Sequence, residues 1–351
     1  MRILYGVTGE GLGHAMRART IGSHLAARGH EVLFAASGQA HELLARELNV
    51  LRIEGFRLRY RRGKLRRGAS FVENVANAPT SLCHNLGRAF HEASAFDPHV
   101  AITDFDSFAH AIGRLRGVPI ISIDHHHVID RFCHPASVRA RLPFDFAATR
   151  AVVRAKTPGC DHYIVSSFYA PPSDPTRAAR TTLVGPILRP AVRATQPSEG
   201  DHYVVYQTSA ADPKLLAELS RVPARFHVYG RGARRGRHAP NVEIRPFDEH
   251  AFLQDLGECR GVLAHGGHTA LSEALALGKP VLSFPLRHQG EQELNAAYLA
   301  HLGLGVAARS CDARTIASFV RGTSLRAHSP RVRPGNDDAC AALDALLARV
   351  A

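Results

Sequence analysis

The sequence predicts an α/β fold made of two doubly wound halves, each a parallel sheet wrapped by helices, that face each other across a cleft. In both halves of the 351 residues, short apolar runs alternate with helical patterns, which is typical of parallel sheets. The alternation stops at a stretch rich in proline and glycine near residue 190 and then restarts. Ligands of such folds bind beyond the carboxyl ends of the strands, so both halves should direct functional loops into the cleft.

Strands and helices alternate through the first half of the chain. Fully apolar runs predict buried strands, and apolar residues at helical spacing predict the first helix, which ends at Gly29. The predicted strands are 3–7, 32–36, 100–103 and 120–123, and the predicted helices are 15–28 and 108–115.

The same alternation restarts in the second half. The predicted strands are 203–207, 225–229, 242–244, 261–264 and 280–284, and the predicted helices are 214–220 and about 337–350. Gly185, Pro186 and Pro190 mark the change between the halves, because glycine and proline end regular elements. We therefore predict an N-terminal domain of residues 1–188 and a C-terminal domain of residues 189–351. The last helix is expected to pack on a neighbouring helix or to return to the N-terminal domain.

The composition is that of a globular protein, with 45% hydrophobic and 21% charged residues. The chain has no run of about 20 apolar residues and starts without the pattern of a signal peptide, so we expect a cytoplasmic protein. The six cysteines are scattered without a CxxC pair, which predicts free thiols and no metal site.

The formal charge of +13 comes almost entirely from arginine, since the chain has only four lysines. Arginine-rich codon usage explains such a charge, and an anionic partner is the functional alternative. The densest basic cluster falls within residues 57–67. We expect it to form a loop that faces an anionic acceptor or the inner face of the membrane. It lacks the interleaved aromatic residues of a single-strand platform, so nucleic-acid binding is not expected.

A glycine-rich turn with a histidine follows the first predicted strand: Gly9, Gly11, Gly13 and His14. Such glycines allow a sharp turn, and the amides at the start of the next helix favour negative charge. A dinucleotide fingerprint would have a glycine in place of His14 and an acid after the second strand, so NAD binding is not expected. A histidine here can take a proton from a hydroxyl, unless it only caps or packs the helix.

Two acids follow the strand predicted over 100–103. Asp104 stands at the strand end, so its carboxylate should face the cleft near His14. An acid beside a histidine base fixes its tautomer and stabilises the imidazolium. Asp106, which we place on the acceptor side, could exchange roles with Asp104, and the alternative role for the acid is the N-cap of the following helix.

The most specific motif lies in the second half, where a strand ends in two glycines and opens a helix. Its residues are His265, Gly266, Gly267, His268, Thr269, Glu273, Glu291 and Gln292. Exposed amides and a helix dipole at this point suit a diphosphate. Glu273 can accept hydrogen bonds from paired ribose hydroxyls, and Glu291 and Gln292 can bind sugar hydroxyls.

This motif resembles the donor-binding signature of GT-B glycosyltransferases of families 1 and 28, which include the plant and macrolide glycosyltransferases and the bacterial enzyme that completes lipid II. The resemblance implies that residues 265–269 contact the diphosphate, that Glu273 binds ribose, and that Glu291 and Gln292 hold the sugar. The family usually has aspartate where this chain has Glu291. Residues 241–247 resemble the segment before the base pocket, which assigns Phe247 to the donor side.

The resemblance extends to the first half. It implies that His14 activates the acceptor hydroxyl, that Asp104 orients this histidine, and that residues 184–186 belong to the interdomain linker. Residues 40–95 and 125–180 match least, and there such enzymes hold their acceptors. His125, His126 and His127 fall in this region; they cannot all face one metal, because successive side chains of an extended segment alternate. We assign His125 and His126 to the acceptor side.

The resemblance also indicates the stereochemistry. Retaining GT-B enzymes carry two glutamates with seven residues between them, and the partner of Glu273 at that spacing is His265. We therefore expect an inverting glycosyltransferase that uses no cofactor or metal. It would move a sugar from a nucleotide-sugar, a UDP-sugar by family frequency, to a hydroxyl of a lipid-linked saccharide, a cell-envelope glycan or a small molecule. The alternatives are an epimerase or hydrolase on the same fold, and a non-catalytic sugar-nucleotide-binding subunit.

Overall fold

The computed structural model describes residues 1–9, 11–55, 60–61, 64–65, 85–142, 146–207, 211–230, 233–323 and 331–350. The prediction for the basic cluster 57–67 concerns side chains outside these described residues.

The first half is built on one seven-stranded parallel sheet. The strands of this half, seven in the large sheet and two in a separate pair, are β1 (Arg2–Val7), β2 (Glu31–Ala36), β3 (Val50–Arg52), β4 (Tyr60–Arg61), β5 (Lys64–Leu65), β6 (Val100–Asp104), β7 (Ile120–Asp124), β8 (His162–Ser166) and β9 (Thr181–Val184). The large sheet has the order β3-β2-β1-β6-β7-β8-β9, whereas β4 and β5 pair with each other. The direction of strand addition reverses between β1 and β6, and ligands of doubly wound sheets bind at this point.

The second half repeats this design. Its strands are β10 (His202–Tyr206), β11 (Arg225–Tyr229), β12 (Gly236–Ala239), β13 (Val242–Arg245), β14 (Gly261–Ala264), β15 (Val281–Ser283) and β16 (Val306–Ala307). They form a sheet in the order β12-β13-β11-β10-β14-β15-β16, which is parallel except for the edge strand β12. The predicted fold class, two doubly wound parallel sheets, is confirmed.

Helices cover both sheets. They are α1 (Leu12–Ala27), α2 (Gly38–Leu44), α3 (Phe90–Ala95), α4 (Ser107–Arg116), α5 (Val128–Arg131), α6 (Ala136–Arg139), α7 (Phe146–Lys156), α8 (Pro190–Ala194), α9 (Pro213–Ser220), α10 (Glu249–Glu258), α11 (His268–Ala276), α12 (Gly290–His301), α13 (Ala313–Thr323) and α14 (Asn336–Leu347). Short π and 3-10 turns add Asn85–Ala89 and Ala178–Arg180. Among the described residues, each helix is too short or too polar to span a membrane.

The two halves share packing as well as a linker. One apolar cluster includes Val165 and Tyr169 of the first half and Ala264 and Leu299 of the second. The last helix, α14, crosses back and buries apolar residues in the core of the first half beside α1. Asn336 at its start exchanges two hydrogen bonds with the backbone of Leu188, at 3.0 and 2.7 Å. These contacts join the two halves on either side of the cleft.

Candidate active site

A cleft of about 810 Å³ separates the carboxyl ends of the two sheets. It is lined by loops that follow β1, β6 and β7 in the first half and β10, β14 and β15 in the second. The predicted site residues that line it are Gly9, Gly11, Gly13, His14, Asp106, His125, His126, Phe247, Gly267, His268, Thr269, Glu273, Glu291 and Gln292. Strand-end loops from both halves therefore bring most of the predicted residues together.

His14 lines the cleft and meets Asp104 just behind it: Asp104 is not among the lining residues, so its carboxylate faces His14 and not the open cleft as the sequence predicted. His14 lies in the first turn of α1, and Asp104 is the last residue of β6, which pairs with β1. The distance between His14 Nδ1 and Asp104 Oδ1 is 2.7 Å. The carboxylate can only accept, so the Nδ1 proton is donated to it, and Nε2 is the nitrogen that can take a proton. His14 is 12% exposed, and Asp104 is fully buried.

Arg17 holds the same carboxylate from one helical turn further along α1. Its Nε and Nη2 donate to the two oxygens of Asp104 at 2.8 and 2.6 Å. Burial alone would raise the pKa of Asp104, but the charges of Arg17 and His14 outweigh it and hold this pKa below its usual value. Arg17 is absent from the predicted site, although its spacing of three residues from His14 places both on one helix face.

Asp106 has a different task from Asp104. Its carboxylate caps α4, where Oδ1 accepts the amide hydrogen of Ala109 at 2.9 Å. Burial raises the pKa of Asp106. Between the two acids, Phe105 has a φ of 55°, a left-handed conformation that is uncommon for an aromatic residue. The hydroxyl of Thr8 donates to the carbonyl oxygen of Phe105 at 2.5 Å and fixes this turn.

The three consecutive histidines have three different environments. His127 is buried behind the cleft, where its Nδ1 donates to Asp124 at 2.6 Å. His125 reaches the second half, with Nε2 at 2.8 Å from Asn295 Oδ1 and its ring stacked on His268 at 3.8 Å. His126 lines the cleft between the halves. Of the three, His125 and His126 line the cleft, and their assignment to the acceptor side stays a prediction.

Two helices, α1 and α11, start at the cleft from opposite halves. Their N-cap residues are Gly11 and Gly267, neither of which has a side chain to cap the helix. By contrast, α4, α9, α10 and α12 are each capped by the side chain of the N-cap residue. Gly267 gives α11 no side-chain cap, and the first amide of the helix, that of His268, donates to Glu291 Oε1 at 3.4 Å. The amides that follow lie at the position predicted for the diphosphate.

His265 lies behind this anion site. Its ring is 5% exposed and packs edge-on against Phe284 at 4.9 Å, and neither His265 nor Gly266 is among the residues that line the cleft. Burial lowers the pKa of His265 to about 4, so the imidazole is uncharged at neutral pH. The backbone after β14, rather than this side chain, reaches the cleft.

Glu273 is held by an arginine of the interdomain segment. Arg189 donates from Nε and Nη2 to the two carboxylate oxygens of Glu273, both at 2.7 Å, and both side chains are 3% exposed. Arg189 Nη1 also donates to Glu249, which in turn accepts from Arg19 of α1. Arg189 is absent from the predicted site, and no motif spacing indicates it. Glu273 therefore faces the cleft as part of an ion-pair chain that joins both halves.

Glu291 and Gln292 occupy the start of α12. Glu291 Oε1 lies 3.4 Å from the amide nitrogen of His268 and 3.3 Å from Asn295 Nδ2, and Oε2 lies 3.3 Å from His126 Nε2. Gln292 accepts the amide hydrogen of Leu286 at 3.1 Å. Burial would raise the pKa of Glu291, but the neighbouring histidines, His126 first, and the His268 amide outweigh it, so the pKa is lowered.

An aromatic wall flanks Glu273 on the side of the second half. Phe247, which the sequence assigned to the donor side, is 36% exposed and lies 5.4 Å from the ring of Phe252. Tyr206 at the end of β10 adds a third ring, 5.6 Å from Phe252. An aromatic wall beside a carboxylate suits a nucleoside, whose base can stack on one of the rings and whose ribose can be bound.

One group of described residues has the spacing of metal ligands, but it lies outside the residues that line the cleft. His202, His227 and Asp255 offer ligand atoms within 4.8 Å of one another. Arg245 Nη1, however, donates to both oxygens of Asp255 at 2.8 and 2.6 Å, and Tyr229 donates to the same carboxylate. A guanidinium already neutralises the acid, so these residues do not fit a cation.

Comparison with known proteins agrees with this geometry. A model of glycosyl transferase family 1 matches residues 1–323. An uncharacterized glycosyltransferase of Methanosarcina acetivorans is 27% identical over 330 residues, which are 87% of this chain and 83% of that protein. A second one, from Methanosarcina mazei, is 24% identical over 340 residues, with coverage of 87% and 85%.

Solved structures show the same fold at low identity. The calicheamicin glycosyltransferase CalG4 has a TM-score of 0.62 and 20% identity, over 100% of this chain and 99% of that one. The spinosyn rhamnosyltransferase SpnG in complex with thymidine diphosphate has a TM-score of 0.61 and 18% identity, over 99% and 96%; SpnG in complex with spinosyn aglycone has a TM-score of 0.60. With the family match over most of its length, the chain belongs to glycosyl transferase family 1 and is a GT-B glycosyltransferase.

Proposed function

We propose that this glycosyltransferase moves a sugar from a nucleoside diphosphate donor to an acceptor hydroxyl with inversion at the anomeric carbon. The observation that carries the proposal is His14 on one wall of the cleft, backed by the buried Asp104, opposite the start of α11 on the other wall. A base on one side and an anion site on the other suit an in-line displacement between them.

The reaction needs one proton transfer and one displacement. His14 Nε2 takes the proton of the acceptor hydroxyl as the oxygen attacks the anomeric carbon of the donor. The bond from that carbon to the diphosphate oxygen breaks, and the nucleoside diphosphate leaves with the bonding electrons. Asp104, kept ionised by Arg17, stabilises the imidazolium that forms. A single displacement inverts the configuration.

The leaving diphosphate would bind at the start of α11. The dipole of this helix and the amides after His268 favour negative charge where the charge develops, and Gly267 provides no side-chain cap. The His268 amide itself donates to Glu291. The side chain of His265 is buried and uncharged, so we give its predicted part in binding the leaving group to the backbone. These fixed dipoles would let the reaction proceed without a metal ion.

The nucleoside would lie against the wall of Phe247, Phe252 and Tyr206, with its ribose at Glu273. Glu273 has one lone pair left on each oxygen once Arg189 is bound, and these can accept from two ribose hydroxyls. We expected UDP from family frequency, while the similar enzyme SpnG has been solved with thymidine diphosphate. A pyrimidine nucleoside diphosphate is therefore our proposal, with UDP as the first candidate.

The acceptor would lie against the first half and would have an apolar body. The cleft wall there carries apolar side chains, one of which, Leu115, is 68% exposed. These residues are Leu12, Met16, Phe90, Phe108, Ile112 and Leu115. An apolar wall beside the proposed base suits a hydroxyl on a hydrophobic or lipid-linked acceptor, for which peripheral contact with the cytoplasmic face of a membrane would be suitable.

Calorimetric titration with UDP, dTDP and GDP, in EDTA and again with Mg²⁺, tests the donor site. We expect one pyrimidine nucleotide to bind in EDTA, and Glu273→Gln to weaken it about tenfold or more through the lost ribose contacts. Glu249→Gln is the matched control, because it removes another partner of Arg189 away from the ribose; its affinity should stay within about threefold of the wild type. Absence of binding to all three nucleotides, or binding only with Mg²⁺, would contradict the proposal.

A further inference from the structure

His126 bridges the predicted base and the predicted sugar-binding acid. Its ring stacks on His14 with ring centroids 5.3 Å apart and on Phe105 at 4.2 Å. Its Nε2 lies 3.3 Å from Glu291 Oε2, which belongs to the other half. No other role in the proposed reaction uses this side chain.

The loop around His126 fixes its ring. Phe105, whose φ is 55°, lies almost parallel to the ring, at an angle of 5°. Lys156 Nζ lies 4.3 Å from the centroid of Phe105. A side chain held in a sparsely populated backbone conformation indicates a surrounding structure that requires it there, and here the result is a stacked position for His126.

The hydrogen bond between His126 and Glu291 has a defined direction. A carboxylate only accepts, so Nε2 of His126 carries the proton and donates it. Burial lowers the pKa of His126 to about 3, so the ring is neutral and Nδ1 is unprotonated. Among the described residues, this buried Nδ1 has no hydrogen-bond partner. The side chain therefore acts through its single N–H.

Both halves of the molecule determine the orientation of the Glu291 carboxylate. Oε1 is held from the second half, by the amide of His268 and by Asn295. Within the described residues, Oε2 is contacted from the first half by His126 Nε2, at 3.3 Å. The carboxylate is therefore fully oriented only when the two halves are closed on each other.

We propose that His126 is a positioning residue that orients Glu291 toward the donor sugar when the cleft closes. The inference rests on the proposed function, because it requires a sugar nucleotide in the cleft. It predicts that His126 contributes to the affinity for the sugar and not to the affinity for the nucleotide.

Two substitutions separate the N–H from the ring. His126→Phe keeps a ring that can stack on Phe105 and removes the donor, whereas His126→Gln keeps an N–H near the position of Nε2 and removes the ring. We would titrate each with UDP, UDP-glucose, UDP-N-acetylglucosamine, dTDP and dTDP-glucose. The sugar increment, the ratio of each nucleoside diphosphate's Kd to that of its sugar nucleotide, should fall about tenfold in His126→Phe and largely survive in His126→Gln.

Arg19→Gln is the matched control. It removes another contact between the halves, the ion pair with Glu249 at 2.6 Å, on the nucleotide side of the cleft. Arg19→Gln should change the Kd of each nucleoside diphosphate and the Kd of the corresponding sugar nucleotide by the same factor. Thermal melting checks that all variants fold. The inference would be overturned if the wild type had no sugar increment, or if the increment were unchanged in His126→Phe. In both cases, nucleotide binding by the wild type would leave the proposed function intact. A wild type that binds none of the nucleotides would overturn both.

Discussion

Asp104 has two neighbours: it forms an ion pair with Arg17, and it accepts the Nδ1 proton of His14. A fully buried carboxylate without a partner would take up a proton, since burial disfavours its charge. The bidentate contact with Arg17 keeps it ionised, and only an ionised acid can stabilise a protonated His14. In the proposed reaction Arg17 is thus a positioning residue, because it acts through Asp104.

Replacement of Asp104 by asparagine should separate catalysis from binding. The amide keeps the volume but loses the charge that stabilises the imidazolium, so the transfer rate should fall about 10³- to 10⁴-fold, nearly as far as in His14→Ala. The nucleotide affinity should not change. Asp106→Asn is the matched control, since asparagine caps helices as well as aspartate. Steady-state kinetics and calorimetry check this, and a larger loss in Asp106→Asn would reverse our assignment of the two acids.

The residues that could be predicted are those that stand at strand ends. His14 lies in the segment after β1, and Asp104 is the last residue of β6. Because β1 and β6 are adjacent parallel strands, their carboxyl ends lie together regardless of loop conformation. Arg189 could not be predicted, because its contact with Glu273 depends on how the linker crosses between the sheets. The position of His265 also differed from expectation. Gly267, two residues later, starts α11 at the cleft, whereas the His265 ring packs on Phe284 in the core behind the cleft.

At the scale of elements, the starts of α1 and α11 are packed against each other. A Cβ added at Gly13 would overlap the hydroxyl oxygen of Thr269, so the glycine is needed for close approach of two helices from different halves. Each helix directs an uncapped N-terminus to the same cleft. Their separation therefore sets the distance between His14, the proposed base on α1, and the proposed anion site at the start of α11.

Gly13→Ala should therefore reduce activity without destabilising the fold. Alanine favours the helix by about 1 kcal/mol over glycine, but its methyl group would push α11 away, and a displacement of about 1 Å can cost about 100-fold in rate. We expect a 10- to 100-fold lower transfer rate and an unchanged or higher melting temperature. In a double-mutant cycle with Thr269→Ala, the loss should be smaller in the background that lacks the hydroxyl. Additive effects would show that the two helices do not meet as described.

The central elements could be predicted more completely than the edges. Apolar runs such as those of β1, β6 and β14 are buried on both faces, and their pattern predicts a parallel strand. β8 and β9 are absent from the predicted strands: their apolar runs are short, they contain His162 and two threonines, and their place is given by pairing with β7 and with each other. The edge strands β12 and β16 depend on the same tertiary pairing.

At the scale of the whole molecule, the region between the halves is rich in buried neutral histidines. His134 contacts Tyr298 of the second half at 2.8 Å, and His125 stacks on His268. Burial lowers the pKa of His134 to about 4 and that of His268 well below its usual value. With His126, these rings are uncharged in the folded protein, and the contact between the halves depends on that state. His265, in the core of the second half, is uncharged as well.

The stability of the molecule should therefore fall in mild acid. In the unfolded chain each histidine takes up a proton near pH 6.5, whereas His134 and His265 do so only near pH 4 when folded and His126 only near pH 3. The unfolded state then binds more protons between these values, so stability is full above about pH 7 and is lost as the pH falls toward 4. Each such ring should cost about 2 kcal/mol at pH 5.

Urea unfolding at pH 7.5, 6 and 5 measures this loss, and His134→Gln should reduce the difference between pH 7.5 and pH 5 by about 2 kcal/mol. His238→Gln is the control, because this exposed histidine should leave the difference unchanged. The carboxylates with lowered pKa values, such as Asp104 and Glu291, would weaken the fold only below about pH 4, in a separate range. A stability that stays constant from pH 7.5 to 5 would mean that the histidines between the halves are open to solvent, and that the closed cleft is not the state that predominates in solution.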